Sequence, residues 1–535
     1  MEKNNIIEEL NKHICGLSYM NVISYACLNE MVSYNETGFP DRKVVLTYDE
    51  WLLVIGLWLK NVNKEPLHEI ETIEDIEKEA GLLYDLLEKL HYSYLFRFPS
   101  VDFSNIESVK DVIHNALDSP VLIQEAIFYG GEGAYDLQYT SFIEKKYYKD
   151  RDWILQKKGV DIIKLHPFYL TIRRLLSLKM LEYREDMKKA HDETQLSITY
   201  PFIIDISDVV SADSDYQRIL DLFSFDIKRP NEITINGIED FNPLVENPII
   251  KIDDKHLFIP KNTIIAGALY ELPFFWIVKD DEYFRKYGAD NRGDATETIT
   301  KSLLERIFPK DNVIRNVNII QKKDICAEID VLVKYTDVAL IFQVKSKRLS
   351  LNSRKGDKES IAKDFEQAIG KAYEQAVISE SKMMGPCSIL KNKEGLVSVS
   401  GISKTIKIGI TLDFFPAVEA ILRRGLGESA QFISMSIFDL DILTRYLVAE
   451  QFIEYVEFRV GHRKELFASN EAGYLGFYLK HKGFGVIDEN LKKSNQKGYN
   501  WVAISEDYAC EIDKKMNPDL LMEYMPETFN RIHEG

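Results

Sequence analysis

The sequence predicts a multidomain α/β (α+β) protein. It reads as a mainly helical N-terminal region, a hairpin-and-helix connector, an αβββαβ core and a mixed C-terminal region. Three observations carry that prediction. The chain has 535 residues, which at about 150 residues per domain is more than one core organises. Hydrophobic residues make up 45% and charged residues 28%, as in folded globular protein, so disorder or fibre is excluded for the whole chain. The apolar period also changes from helical to alternating near Phe223.

Charge and cysteine usage narrow the class further. With 67 basic and 85 acidic residues the net charge is −18, which excludes a surface uniformly coated in basic groups. A local basic groove stays open. Cys15, Cys27, Cys326, Cys387 and Cys510 lie far apart without a CxxC pair, so neither a disulfide framework nor a zinc knuckle is expected. The opening MEKNNIIEEL lacks the apolar core of a signal peptide. The apolar run from Trp51 to Leu59 is about half a membrane span. A cytoplasmic protein with no membrane partner is expected.

Residues 1–222 read as helices. Asp49 and Glu50 precede WLLVIGLWLKNV, an acidic start to a buried helix. Ile73 to Leu90 and His166 to Met187 carry apolar stripes against polar faces. Those acidic faces suit solvent, or a platform for a protein partner or a second copy of the chain. Residues 223–288 form the connector: ITI, PIIKI and HLFIP are β-prone runs separated by Asn236-Gly237 and Asp253-Asp254, both turn formers. Asn262 to Tyr287 reads as helix, and the polar Gly288 to Gly293 (GADNRG) as a boundary.

Residues 289–415 form the core. Thr296 to Phe308 is an amphipathic helix, followed by strands at Val313–Ile320, Glu328–Val333 and Val338–Val344. A helix at Lys358–Ser379 and a strand at Lys407–Phe414 complete the pattern. Residues 416–535 mix helices with aromatic-rich segments, including an expected core-facing helix from Tyr446 to Arg459.

The chemistry concentrates in Glu328-Ile-Asp330-Val-Leu-Val and Ile341-Phe-Gln343-Val-Lys345. Strict alternation puts Glu328 and Asp330 on one face, with Ile329, Val331 and Val333 on the other. With Thr336 and Asp337 as the turn, Asp330 falls opposite Gln343, and Glu328 opposite Lys345. A carboxylate, an amide and an ammonium at the end of hydrophobic strands contradict core patterning, which marks a functional site. Such groups suit metal-assisted phosphodiester hydrolysis. Asp330 is the direct anionic ligand of a Mg²⁺ or Mn²⁺ ion, Gln343 and the Val344 carbonyl add neutral oxygens, and Glu328 adds a second charge. Lys345 orients water or meets transition-state charge, and Glu297 on the preceding helix holds metal-bound water.

Gly293-x-x-x-Glu297, Asp330, Gln343-Val344-Lys345 and the helix with Gln367-Ala, Ala372 and Gln375-Ala together resemble the PD-(D/E)XK (restriction-endonuclease-like) nucleases. The match is to the Mrr-like branch whose motif reads D…QxK, and it covers residues 289–415. The resemblance implies catalytic roles for Asp330, Gln343, Lys345 and Glu297 and divalent-metal-dependent cleavage of nucleic acid, most often DNA. It also implies a setting in bacterial restriction or anti-phage defence. The usual proline is absent, since Ile329 precedes Asp330, and glutamine replaces the second carboxylate, which lowers the site's negative charge.

Local charge agrees with a nucleic-acid partner. From Gln343 to Tyr373 eight basic residues stand against four acidic ones within a chain of −18. Lys347, Arg348, Arg354, Lys355 and Gln367 are the candidate contacts, and SLNSRKGDK reads as a mobile basic loop. The competing reading is a catalytically silent, nuclease-like subunit that binds nucleic acid or scaffolds a complex. No phosphate loop, HExxH or GxSxG occurs, and Gly425-x-Gly427-x-x-Ala430 lies in the wrong order of elements for a dinucleotide site. The ten histidines are scattered without metal-ligand spacing.

Overall fold

A computed structural model of the chain describes residues 3–36, 44–95, 128–129, 133–189, 197–354, 357–386, 388–415, 432–462, 465–468, 470–496, 502–505 and 507–516. The architecture is mixed α+β with a helical N-terminal region. The described residues divide into two compact units, chiefly 3–95 with 135–285, and 286–515.

Among the described residues, seven helices open the first unit: α1 (Lys3–His13), α2 (Tyr19–Glu36), α3 (Tyr48–Asn61), α4 (Ile73–Leu95), α5 (Asp136–Tyr147), α6 (Arg151–Lys158) and α7 (Leu165–Lys189). The acidic start of α3 is a capping box. Thr47 Oγ1 accepts from the Glu50 N–H at 3.3 Å, while the Glu50 carboxylate accepts from the Thr47 N–H at 2.8 Å. α3 is apolar nearly all round because it is buried nearly all round. Its two indoles keep their N–H groups satisfied, Trp51 on Glu30 at 2.9 Å and Trp58 on the Gly16 carbonyl at 3.0 Å. No described helix is long and apolar enough to cross a membrane.

β1 (Ile203–Asp205), α8 (Ile206–Ala212) and α9 (Tyr216–Phe223) close the region expected to be mainly helical, and the connector from residue 223 holds β2 (Ser224–Asp226), β3 (Ile249–Lys251) and β4 (His256–Phe258). The strands form a sheet in the order β1-β4-β3-β2. The hairpin expected at Asp253-Asp254 joins β3 to β4, with Asp253 accepting from the N–H groups of Lys255 and His256. The hairpin expected at Asn236-Gly237 is not there: no strand flanks the pair. Ile233 and Ile235 are buried instead, and Ile235 lies so close to Gly56 of α3 that a Cβ there would collide with it. Side-chain burial against α3 wins over ladder pairing. Helix α10 (Asn262–Lys279) follows.

In the second unit α11 spans Ala289–Leu304, so the expected boundary GADNRG is helical and Gly293 sits inside the helix, not at its start. Arg292 explains the extension, because its guanidinium donates to the Ser346 carbonyl at 2.8 Å and pairs with Asp413, fixing this turn. Then come β5 (Val313–Gln321), β6 (Asp324–Tyr335), β7 (Val338–Lys345), α12 (Lys358–Phe365), α13 (Lys371–Met383), β8 (Ile389–Lys391), β9 (Leu396–Val397), β10 (Lys404–Thr411) and β11 (Phe432–Ser436). A π-helical turn, Glu366–Gly370, joins α12 to α13, making one helical arm where a single helix was expected. α14 (Ile437–Tyr446) ends at Tyr446, and the expected core-facing helix follows as α15 (Ala449–Gly461), starting three residues later than expected and burying Phe452, Tyr455, Val456 and Val460.

The sheet order is β11-β10-β7-β6-β5-β8-β9. β5, β6 and β7 form an antiparallel meander. β10 returns parallel to β7, and β11 lies parallel to β10. Parallel return requires a crossover, which α12 and α13 supply. Ile361, Phe365, Ala368, Ala372 and Ala376 of this arm pack with Val317, Ile329, Leu332, Ala339 and Ile341 of the meander. α11 packs against the same three strands through its own stripe, Ala295, Ile299 and Leu303, outside that cluster.

Candidate functional site

The β6–β7 hairpin turns at Thr336-Asp337 as expected, and its ladder runs from Tyr335↔Val338 to Val331↔Phe342. There it stops. The next pair, Asp330 with Gln343, is not part of the ladder; instead the Asp330 carboxylate accepts from the Val344 N–H at 2.7 Å. On its other side β6 pairs β5 as Arg315↔Val331 and Val317↔Ile329, and the pair between them, Asn316 with Asp330, is missing. Asn316 has φ +53, a left-handed conformation that asparagine tolerates better than most residues. This irregularity corrects the expected alternation. Ile329 and Leu332 belong to one core cluster while the buried Val331 does not, so β6 switches faces at Asp330.

Backbone strain of this kind clusters at functional sites. Asn316→Val is expected to lower the stability of this unit by about 1–2 kcal/mol, and Asn316→Gly to leave it nearly unchanged. Urea unfolding followed by hydrogen-exchange mass spectrometry of β5 peptides measures both.

Around the opened ladder stand the groups named from sequence. The Lys345 ammonium donates to Gln375 Oε1 of α13 at 2.5 Å. Gln343 is 1% exposed and donates its amide to the Glu328 carbonyl at 2.8 Å and to Ser379 Oγ at 3.2 Å. Its nitrogen is therefore committed, which fixes where its oxygen points. Glu297 of α11 accepts from Arg315 at 2.8 Å; the same guanidinium reaches Asp294 at 3.1 Å and Thr298 at 2.7 Å. The expectation that Glu297 holds a metal-bound water must therefore contend with a strong cationic partner. Glu328 is exposed.

Electrostatics tie these groups together. Burial raises the Asp330 carboxyl to about 6, opposed by the Lys345 ammonium and the Val344 N–H and reinforced by Glu297 and Glu328. Burial pushes Lys345 below its ordinary value, against the pull of Asp330 and Glu297. Glu297 is raised by burial, opposed by Arg315 and aided by Asp294 and Glu328. Three carboxylates thus share one electrostatic neighbourhood with a half-buried lysine.

The donor set suits a hard cation. Asp330 and Glu328 are oxygen donors, and a divalent ion beside Asp330 would offset the burial that now favours its proton. Glu297, Glu328 and Asp330 are not among the described side chains whose ligand atoms are already gathered tightly enough to cage an ion.

The basic residues proposed to meet nucleic acid sort differently. Lys347 pairs with the buried Asp364 at 2.8 Å, and Asp364 also accepts from the Ser350 N–H and the Ser353 hydroxyl, both at 2.6 Å. The expected mobile loop is thus stapled over residues 350–354, with Leu351–Arg354 as a helical turn. Arg348 and Gln367 are partly exposed and Arg354 is exposed, while Lys355 lies outside the described residues. Sequence reasoning missed Arg315, Asn316 and Ser379, and it quoted Gln375 within the resemblance without giving it a role. Only Gln375 left a signal, as a glutamine one helical arm away from the QxK strand.

Compared with protein-family models, with curated proteins and with solved structures, the chain matches none.

Proposed function

We propose that the second unit is a PD-(D/E)XK, restriction-endonuclease-like nuclease core of the Mrr-like branch. It hydrolyses phosphodiester bonds, in DNA by preference, with Mg²⁺ or Mn²⁺, as the effector of a bacterial restriction or anti-phage system. The observation that carries the reading is the coupled pair Asp330 and Lys345, set where the β6–β7 ladder opens. The meander β5-β6-β7 followed by a helical arm and a parallel β10 supports it, since this is the αβββαβ order expected from sequence.

Asp330, with Glu328, would hold the cation, which when bound supplies a polarised phosphate and an acidified water. The remaining work falls to the chain. Gln375 orients the Lys345 ammonium, which can meet the charge that develops on phosphate oxygens. Arg292 fixes α11 on the ends of β7 and β10, which sets where Glu297 stands. Exposed Lys371, whose charge acts on Lys345, offers a phosphate contact beside the site, and Arg354 and Lys363 of the same segment are exposed as well.

One observation favours the silent, nucleic-acid-binding alternative: Arg315 neutralises Glu297 and Asp294 without any added ion. Incubating the protein with plasmid, linear and single-stranded DNA and RNA, with Mg²⁺, Mn²⁺ or chelator, separates the two. Divalent-dependent nicking of DNA is the expected result, and DNA binding without cleavage under every condition would replace it with the silent reading.

A further inference from the structure

Far along the chain from Asp330, three side chains of the first unit converge. His13 closes α1, His68 stands between α3 and α4, and Glu79 lies on α4. His13 Nδ1 is 3.3 Å from one Glu79 oxygen, and His68 Nε2 is 2.8 Å from the other. The three ligand atoms all lie within 4.8 Å of one another. The Glu79 side chain is only 4% exposed, whereas that of His68 is 50% exposed.

A carboxylate this deeply buried needs its charge met. Among the described residues its ion-pair partners are those two imidazoles. Each can offer Glu79 at most one N–H, and no arginine or lysine pairs with it among the described residues. The cluster is made of nitrogen and carboxylate donors and opens to solvent at His68.

We infer that His13, His68 and Glu79 form a binding site for a transition-metal cation of the Zn²⁺ class. Two imidazoles and a carboxylate are a borderline-soft donor set that zinc accepts at about 2.0–2.2 Å. Ligand atoms on a tetrahedral zinc stand roughly 3.4 Å apart, so the widest separation has to close by only about an ångström and a half. Small rotations of the half-exposed His68 supply that closure. The fourth position faces the solvent side and takes water. A bound ion ties α1 and α4 to the segment between α3 and α4, so binding stabilises the fold of this unit. The sequence hid the set because its members are separated by 55 and 11 positions and come from three different elements.

The experiment uses full-length protein carrying Asp330→Asn, so that the cation centre of the second unit is removed. After chelator treatment it is titrated with Zn²⁺ in competition with a chromogenic chelator at pH 7.5, and its thermal unfolding is followed. The expected result is one bound equivalent with a rise in Tm. His68→Ala, at a half-exposed position the fold tolerates, is expected to weaken binding by at least about tenfold and to remove the Tm rise. Absence of a stoichiometric Zn²⁺ site, or binding unchanged by His68→Ala, overturns the inference.

Discussion

Replacing Asp330 by asparagine should remove a pH dependence from the stability of the cation-free second unit. An aspartate has an ordinary value near 3.9 when unfolded, and burial raises Asp330 to about 6 in the folded state. The folded state therefore binds its proton more tightly. Stability contributed by the protonated form is present below about pH 4 and is lost as pH rises to about 6, after which the penalty is constant. The full difference corresponds to at most about 3 kcal/mol, and the part of the carboxylate open to solvent reduces the expectation to about 2 kcal/mol. Asparagine carries no such penalty and still accepts from the Val344 N–H. The stability difference between Asp330→Asn and the unmodified protein should thus grow by about 2 kcal/mol in favour of the variant between pH 4 and pH 7. Urea titrations read by hydrogen-exchange mass spectrometry of β6 and β7 peptides isolate this unit. A pH-independent difference would show that the carboxylate is ordinary.

Lys345→Ala carries the largest expected effect on activity. The ammonium is half-buried, held by Gln375 and coupled to Asp330. Preorganised charge at a developing oxyanion typically contributes 10²–10³-fold, so cleavage of DNA should fall by at least about 10²-fold. DNA affinity should change by only a few fold, because Arg354, Lys363 and Lys371 remain exposed. Burial depresses the lysine, so activity of the unmodified protein should also decline at alkaline pH as the ammonium deprotonates, with a midpoint below that of a free lysine. Cleavage rates and DNA binding measured side by side check both. Equal losses of binding and cleavage would make Lys345 a phosphate anchor and nothing more.

Much of this unit was legible in the sequence. The continuous apolar runs Val331–Val333 and Val338–Phe342, with the Thr336-Asp337 turn between them, made the β6–β7 hairpin legible, and the turn sets its register. The short strands β8 and β9 at one end of the sheet were not legible, because three and two residues are too few to show a period. Asn236-Gly237 reads as a hairpin by turn chemistry alone, yet the pocket at Gly56 claims Ile235. The face switch at Asp330 depends on one backbone dihedral at Asn316, which no side-chain pattern announces. Arg315 belongs to a β-prone run and reads as a strand's exposed charge; only the folded meander brings it to Glu297 and Asp294. Helix GADNRG has polar, glycine-containing composition typical of a loop, and long-range bonds from Arg292 override that local preference.

The claim beneath the functional proposal is that Asp330 shares a divalent cation with bound nucleic acid. Mn²⁺ binding to full-length Lys345→Ala protein, saturated with a short DNA duplex and followed by electron paramagnetic resonance, tests it most directly. With the first unit's site removed by His68→Ala, one Mn²⁺ should bind in this protein and be lost when Asp330→Asn is added. Identical Mn²⁺ binding with and without Asp330 would contradict the account.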